Sequence, residues 1–339
     1  DQTPYVSVSE FETWADVANW ALPMYTAPAV SSLSPALKTK IDELRAIPDP
    51  AKRVLAAVEF VQDGVRYFGV ELGTGSHKPR HPNDTFATRY GDCKDKALLL
   101  VSLLKALNIK AYPAFVSGTN NKAVAQALPS PLAFDHVITR IDIAGKSYWI
   151  DGTRSYQRGS LDNRASGSYG SALVITPDTH DLTEMVASSG QVYDADITET
   201  FTTSDYLKPA SLKVVEIYQG AAAESRRHTY ASIARTELDR HQLNRYARLY
   251  PGIEQVSSYV LTDDIANNTL TITREYNVSD FWEKDEDEPN KLSYSIYAHL
   301  VGYGVDTPRY IRRKSPLALD NPIKLKHKVA IIMPGEYNI

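Results

Sequence analysis

A single cysteine, Cys93, in a chain of 339 residues means that no intramolecular disulfide can staple the fold, which must come from a buried apolar core. The composition allows one. Hydrophobic residues make up 43% and charged residues 23%, too apolar for a disordered chain, and the length suits about two domains. The longest apolar run, Ala97 to Leu104 with Ser102 inside it, falls well short of the roughly 20 residues that a membrane span needs. With 37 basic against 41 acidic residues, the net charge of −4 gives no electrostatic reason to bind nucleic acid. Cysteine usage alone is compatible with cytoplasm or periplasm. The start at Asp1, without Met or an apolar leader, leaves room for removed residues. The end at Pro334 to Ile339, soon after a strand-like run, leaves room for a longer natural protein.

Residues 1 to about 65 read as helical, with apolar groups at helical spacing in Phe11–Trp20, Pro35–Leu44 and Ala51–Val65. Tyr67 to Tyr90 reads as loop, broken by Gly69, Gly73, Gly75, Pro79 and Pro82. The clearest element is a helix from about Cys93 to Leu107, with Ala97, Leu100, Val101, Leu104 and Leu107 on its apolar face. A strand over Ala111–Ser117 and a hairpin of Phe134–Ile141 with Lys146–Asp151 follow, then a long surface loop to Ser171. From about residue 190 the text turns β-rich: Ile197–Thr203, Ser211–Tyr218, Gln255–Thr262, Thr269–Tyr276 and Lys326–Ile332 read as strands. One long amphipathic helix, Ala222 to Leu249, interrupts them. The expected layout is a domain over 1–185 and a β-rich accessory domain over 190–339. Glu283 to Glu288 reads as a solvated acidic loop, because a calcium loop needs alternating Asp/Asn closed by Glu.

Taken alone, a helix cysteine reads as a core residue. Its neighbours point elsewhere. Asp92 can cap the helix that Cys93 opens, and the free N–H groups and dipole of that first turn favour thiolate and could hold an oxyanion. In the hairpin, a two-residue loop Ala144-Gly145 sets His136 opposite Thr153 and diagonal to Asp151. A four-residue loop from Asp142 sets His136 directly opposite Asp151. Either register puts an imidazole beside a carboxylate that can fix its tautomer and favour its protonated form.

The runs Gly91-Asp92-Cys93-Lys94-Asp95-Lys96-Ala97, Leu107-Asn108-Ile109-Lys110-Ala111, Phe134-Asp135-His136-Val137-Ile138 and Tyr148-Trp149-Ile150-Asp151-Gly152-Thr153 together resemble the transglutaminase-like superfamily. The resemblance covers about residues 51–153 and is closest to a bacterial branch that often carries an additional β-rich domain. Cys, His and Asp follow in that family's order, separated by 43 and then 15 residues. The resemblance implies an α+β, papain-like core with N-terminal helices and an antiparallel sheet, and catalysis by Cys93 as nucleophile, His136 as base and acid, and Asp151 as orienter. Asp151-Gly152-Thr153 departs from the family's more frequent Asp-Pro-Thr but keeps the carboxylate. The resemblance also implies an oxyanion donor at Gln62, with Tyr67 as second choice.

His77 and His81 are four apart, but Pro79 between them argues against a shared helix face and against zinc with Cys93. No metal and no cofactor are expected. Arg80, Arg89, Arg154 and Arg158 are cleft candidates, though a solvated surface is their default. The expected activity is thiol-dependent acyl transfer on a carboxamide or peptide carbonyl of a peptide or protein. Aminolysis by a small amine makes it transglutaminase-like; hydrolysis makes it a protease or amidase. The alternative is a non-catalytic binding or scaffolding module that recognises a polypeptide or envelope partner. The resemblance implies export, to the periplasm for example.

Overall fold

The computed structural model describes residues 6–69, 72–185, 194–285, 287–288, 291–300 and 324–335. They fall into two compact units, divided between residues 189 and 190. The stretch around that division, 186–193, and the last four residues lie outside the described ones.

The first unit begins with three helices, α1 (Trp14–Tyr25), α2 (Pro35–Arg45) and α3 (Pro50–Gly64). Each starts on a side chain that accepts a first-turn N–H: Thr13, Ser34 and Asp49, with Pro at the opening of α2 and α3. Next come β1 (Arg66–Tyr67), α4 (Pro82–Thr88), β2 (Tyr90–Gly91) and α5 (Cys93–Ala106). Strands β3 (Lys110–Val116), β4 (His136–Ile143), β5 (Lys146–Ile150), β6 (Ser171–Val174) and β7 (Thr183–Glu184) form one antiparallel sheet in the order β5-β4-β3-β6-β7. Helix α5 packs against β3, β4, α3 and α4. Every residue of α5 except Lys105 is buried, Lys94, Asp95 and Lys96 included. Burial all round marks a central helix rather than an amphipathic surface one.

Two segments differ from their sequence reading. The stretch 67–90 holds β1, β2 and α4, because Pro82 starts a helix capped by the His81 imidazole and Arg89 ends it in the left-handed region at φ 56°. β1 and β2 pair in parallel and bring Tyr67 beside Gly91. Residues 151–170 are not a surface loop throughout: Asp151, Gln157, Leu161 and Arg164 are buried, for reasons the site makes plain.

The second unit contains β8 (Ala195–Thr203), β9 (Ala210–Gln219), α6 (Gly220–Ser232), α7 (Arg235–Ala247), β10 (Ile253–Gln255), β11 (Val260–Asp264), β12 (Thr269–Val278), β13 (Glu283–Lys284), β14 (Leu292–Ser293) and β15 (Leu325–Ile332). Its main sheet runs β10-β12-β9-β8-β15, with β11 on β12 and with β15 parallel to β8. Strict alternation along β8 buries Ala195, Ile197, Glu199, Phe201 and Thr203 on one face. The single long helix expected over 222–249 is two helices, broken at Ile233-Ala234. No Gly or Pro marks the break. Arg235 instead donates to Ser258 and to the Tyr259 carbonyl and stacks on the Tyr259 ring, so tertiary contacts override a continuous helical pattern. In the acidic run, Glu283 and Lys284 form β13 and Asp285 pairs with Lys291, while residue 286 lies outside the described ones.

Gly91 sets the entry to α5. A Cβ built there would stand 2.7 Å from the Asp95 Cβ and 3.1 Å from a Thr85 methyl. Gly91→Ala is therefore expected to cost about 1–3 kcal/mol by overpacking and to move the Cys93 turn. Urea unfolding checks the first effect and the rate of Cys93 alkylation the second; a variant unchanged in both would show that the approach relaxes freely.

Candidate active site

Cys93 is the first residue of α5 and lies at the floor of a cleft of about 370 Å³, 7% exposed. The cleft is lined by a mixture of aromatic and apolar groups, Tyr25, Phe115, Leu132 and Phe134 among them, and polar ones, including His77, Lys94, Asp135 and His136. The turn that presents the thiol is locked by a reciprocal cap. Asp92 accepts from the Asp95 N–H and Asp95 accepts from the Asp92 N–H, both at 3.3 Å. Asp95 also accepts from the Arg80 backbone at 2.7 Å and side chain at 3.0 Å, and Lys94 pairs with Asp92 at 2.5 Å. Both carboxylates are thus used on the scaffold. The first-turn N–H groups of Cys93 and Lys94 are those that a helix cannot satisfy internally.

His136 opens β4, where it pairs with Val116 of β3. The turn between β4 and β5 is the two-residue one: Ile143 pairs with Lys146, and Ala144 and Gly145 both take positive φ, 52° and 77°, as a tight hairpin requires. Asp151 follows the last residue of β5. That register makes His136 and Asp151 diagonal neighbours, and the ring closes the gap with Nε2 3.0 Å from Asp151 Oδ2. Nε2 is thereby engaged, and the ring lines the same cleft as Cys93.

Asp151 is 6% exposed, and all its acceptor capacity is engaged. Oδ1 receives the Thr153 N–H at 2.8 Å and hydroxyl at 2.7 Å; Oδ2 receives the Tyr169 hydroxyl at 3.1 Å besides facing His136. Burial alone would raise the Asp151 pKa, but the imidazole and the Thr153 donors outweigh it and hold the carboxyl down to about 2. Burial likewise opposes a charged His136, yet the Asp151 carboxylate, helped by the neighbouring Cys93, lifts its pKa to about 10. The carboxylate thus favours the imidazolium form of the ring.

Gln62 is placed differently from its expected role. Both protons of its amide are committed, to the Asp151 backbone carbonyl at 2.8 Å and to Gln157 Oε1 at 2.7 Å, while its own oxygen accepts from Arg164 at 3.0 Å. It is fully buried and clamps the Asp151 strand end and the 157–164 loop onto α3, leaving no donor for an oxyanion. This clamp is what buries Gln157 and Arg164. Lys96, one turn beyond Cys93, caps the same end of α3 by donating to the carbonyls of Gln62 at 3.2 Å and Val65 at 2.5 Å. Burial pulls its pKa to about 8, against the opposing pull of Asp151 and Asp63.

Tyr67 is half-exposed on β1. His77 reaches the cleft, whereas His81 caps α4; among the described residues these two and Cys93 form no ligand cluster. None of the four arginines lines the cleft: Arg80 braces Asp95, Arg89 stacks on Phe60 and Phe86, and Arg158 pairs with Asp63. Tyr169 escaped the sequence reading. It sits alone in a Gly- and Ser-rich stretch, and a lone aromatic there was its one signal.

No family model matches the chain, and no curated protein matches it in sequence. Among solved structures it is similar to a provisionally assigned protease from Parabacteroides distasonis, with a TM-score of 0.43 and 10% identity over 79% of this chain and 53% of that one. It is also similar to a provisionally assigned cysteine protease from Cytophaga hutchinsonii, with a TM-score of 0.26 and 22% identity over 39% of this chain and 46% of that one. An arylamine N-acetyltransferase from Mycobacterium abscessus gives a TM-score of 0.16 at 12% identity, over 63% of this chain and 86% of that one. The chain spans about half the length of the first two. Similarity at these levels carries no inference about activity, which has to be argued from the site itself.

The imidazolium–carboxylate pair has a pH signature. His136 is lifted from 6.5 to about 10, so the stability it adds is complete below pH 6.5 and is lost as pH rises towards 10. Asp151 is lowered from 3.8 to about 2, so its share is complete above pH 3.8 and is lost as pH falls towards 2. The two shifts describe one pair and count once. The urea-midpoint advantage of wild type over His136→Ala should shrink between pH 6.5 and 10, and that over Asp151→Asn between 3.8 and 2. An advantage that stays flat from 6.5 to 10 would mean a neutral ring.

Proposed function

We propose that the protein is a thiol acyltransferase or hydrolase acting on a carboxamide or peptide carbonyl of a peptide or protein. The observation that carries the reading is that Cys93, at the start of a helix, and His136 line one cleft, with the imidazole held on Nε2 by the buried Asp151 carboxylate. A nucleophilic cysteine needs an activating imidazole and a group that orients it, and a structural cysteine needs neither.

In this reading the Cys93 sulfur attacks the carbonyl carbon and the oxyanion is held by first-turn N–H groups of α5. His136 gives its Nδ1 proton to the departing amine as the C–N bond breaks, leaving a thioester on Cys93. A second nucleophile then attacks the thioester, His136 takes up its proton, and the C–S bond breaks, freeing the Cys93 sulfur and leaving His136 protonated as before. Asp151 stays ionised throughout. Water as second nucleophile makes the enzyme a protease or amidase; a primary amine makes it a transglutaminase-like ligase.

The test is mass spectrometry of a mixed peptide pool after incubation with wild type or Cys93→Ala, with and without a primary amine. Products that gain water or amine with wild type, and are absent with a Cys93→Ala protein of unchanged circular dichroism, are expected. The mass gained assigns the second nucleophile. Product formation that survives Cys93→Ala would sink the thioester mechanism.

A further inference from the structure

The β-rich unit holds a buried polar cluster of its own. Glu199 sits mid-way along β8 on the inner face and has no solvent exposure. β15 runs parallel beside it with His327 opposite Ile197, which puts His327 on the same face, diagonal to Glu199. His299 comes from the segment that follows β14. One ligand atom from each of the three lies within 4.8 Å of the others.

A carboxylate cut off from water needs a counter-charge or a full set of donors. Glu199 Oε1 has the Tyr246 hydroxyl of α7 at 2.5 Å. Its Oε2 stands 3.2 Å from His327 Nε2, yet both atoms are buried and neither makes a hydrogen bond, to the other or to any described group. His299 Nε2 is 3.7 Å from Oε1, and the two imidazoles meet edge to face with centroids 5.1 Å apart. Close approach without hydrogen-bond alignment is how ligands arrange themselves about a shared point. With bonds of about 2.0–2.1 Å to a tetrahedral ion, neighbouring donor atoms lie roughly 3.3 Å apart.

One group competes for that point. Arg245 of α7 donates to His299 Nε2 at 2.8 Å, while His299 Nδ1 lies 3.3 Å from the Tyr297 carbonyl. A proton on Nδ1 leaves Nε2 as a lone pair, now turned to the guanidinium, the atom that a metal would take. Arg245 is only partly buried on its helix.

We propose that Glu199, His299 and His327 form a binding site for a divalent transition-metal ion, zinc by its two-nitrogen, one-oxygen donor set. Tyr246 orients the carboxylate, and Arg245 gives way on binding. The ion ties β15 and the segment after β14 to β8, joining positions 199, 299 and 327, so its binding energy is folding energy for this unit. Positions 199, 299 and 327 follow no ligand-spacing motif.

Chelator-treated full-length protein is titrated with Co²⁺ and then Zn²⁺, followed by visible absorption and thermal unfolding, beside His327→Gln and Arg245→Ala. Wild type should take up one Co²⁺ with the intense visible bands of a tetrahedral site, lose those bands to Zn²⁺, and gain several degrees in Tm. His327→Gln should lose both responses, and Arg245→Ala, which removes a competitor and no ligand, should bind at least as tightly as wild type. No stoichiometric uptake by wild type at micromolar metal, uptake that survives His327→Gln, or weaker binding by Arg245→Ala would each overturn the proposal.

Discussion

The buried carboxylate of Asp151 is the constraint on which the cleft depends. An ionised group at that depth survives only if its lone pairs are met, and here Thr153, Tyr169 and His136 meet them from three directions. Meeting them fixes the imidazole plane and its protonation. That in turn leaves Nδ1 as the nitrogen not engaged by Asp151. Removing the carboxylate would leave a half-buried imidazole with no partner on Nε2 and with the burial penalty unopposed.

Behind this pair stands a second layer that never touches the cleft. Gln62 grips the backbone of Asp151, Arg164 and Gln157 grip Gln62, and Lys96 joins the end of α3 to the helix that bears the thiol. The layer lets three distant pieces of chain, α3, α5 and the end of β5, share one geometry. The polar first turn of α5 is buried for the same reason. Its charges are spent on each other and on Arg80, so the turn is rigid where the thiol needs a fixed direction.

What was legible beforehand divides along physical lines. Local signals carried well: the Asp92 cap and the α5 helix are short-range features written in adjacent residues, and of the two hairpin turns left open the structure takes the two-residue one at Ala144-Gly145. The hairpin placed His136 and Asp151 side by side because the period of a strand is two and leaves few registers. Non-local commitments were not legible. Gln62 looks the same in sequence whether its amide faces a cleft or a strand end, and only the positions of Gln157 and Arg164, 95 and 102 residues away, decide. Tyr169 and the break between α6 and α7 fail for the same reason, since the contacts that define them come from remote segments.

The most direct measurement is the pH titration of the His136 ring nitrogens by NMR in the wild-type protein. Both nitrogens should carry protons at pH 7, with the charged form persisting until pH approaches 10. A neutral ring at pH 7, with a single protonated nitrogen and titration near 6.5, would contradict the account, because the Asp151 carboxylate would then not be controlling the imidazole that faces the thiol.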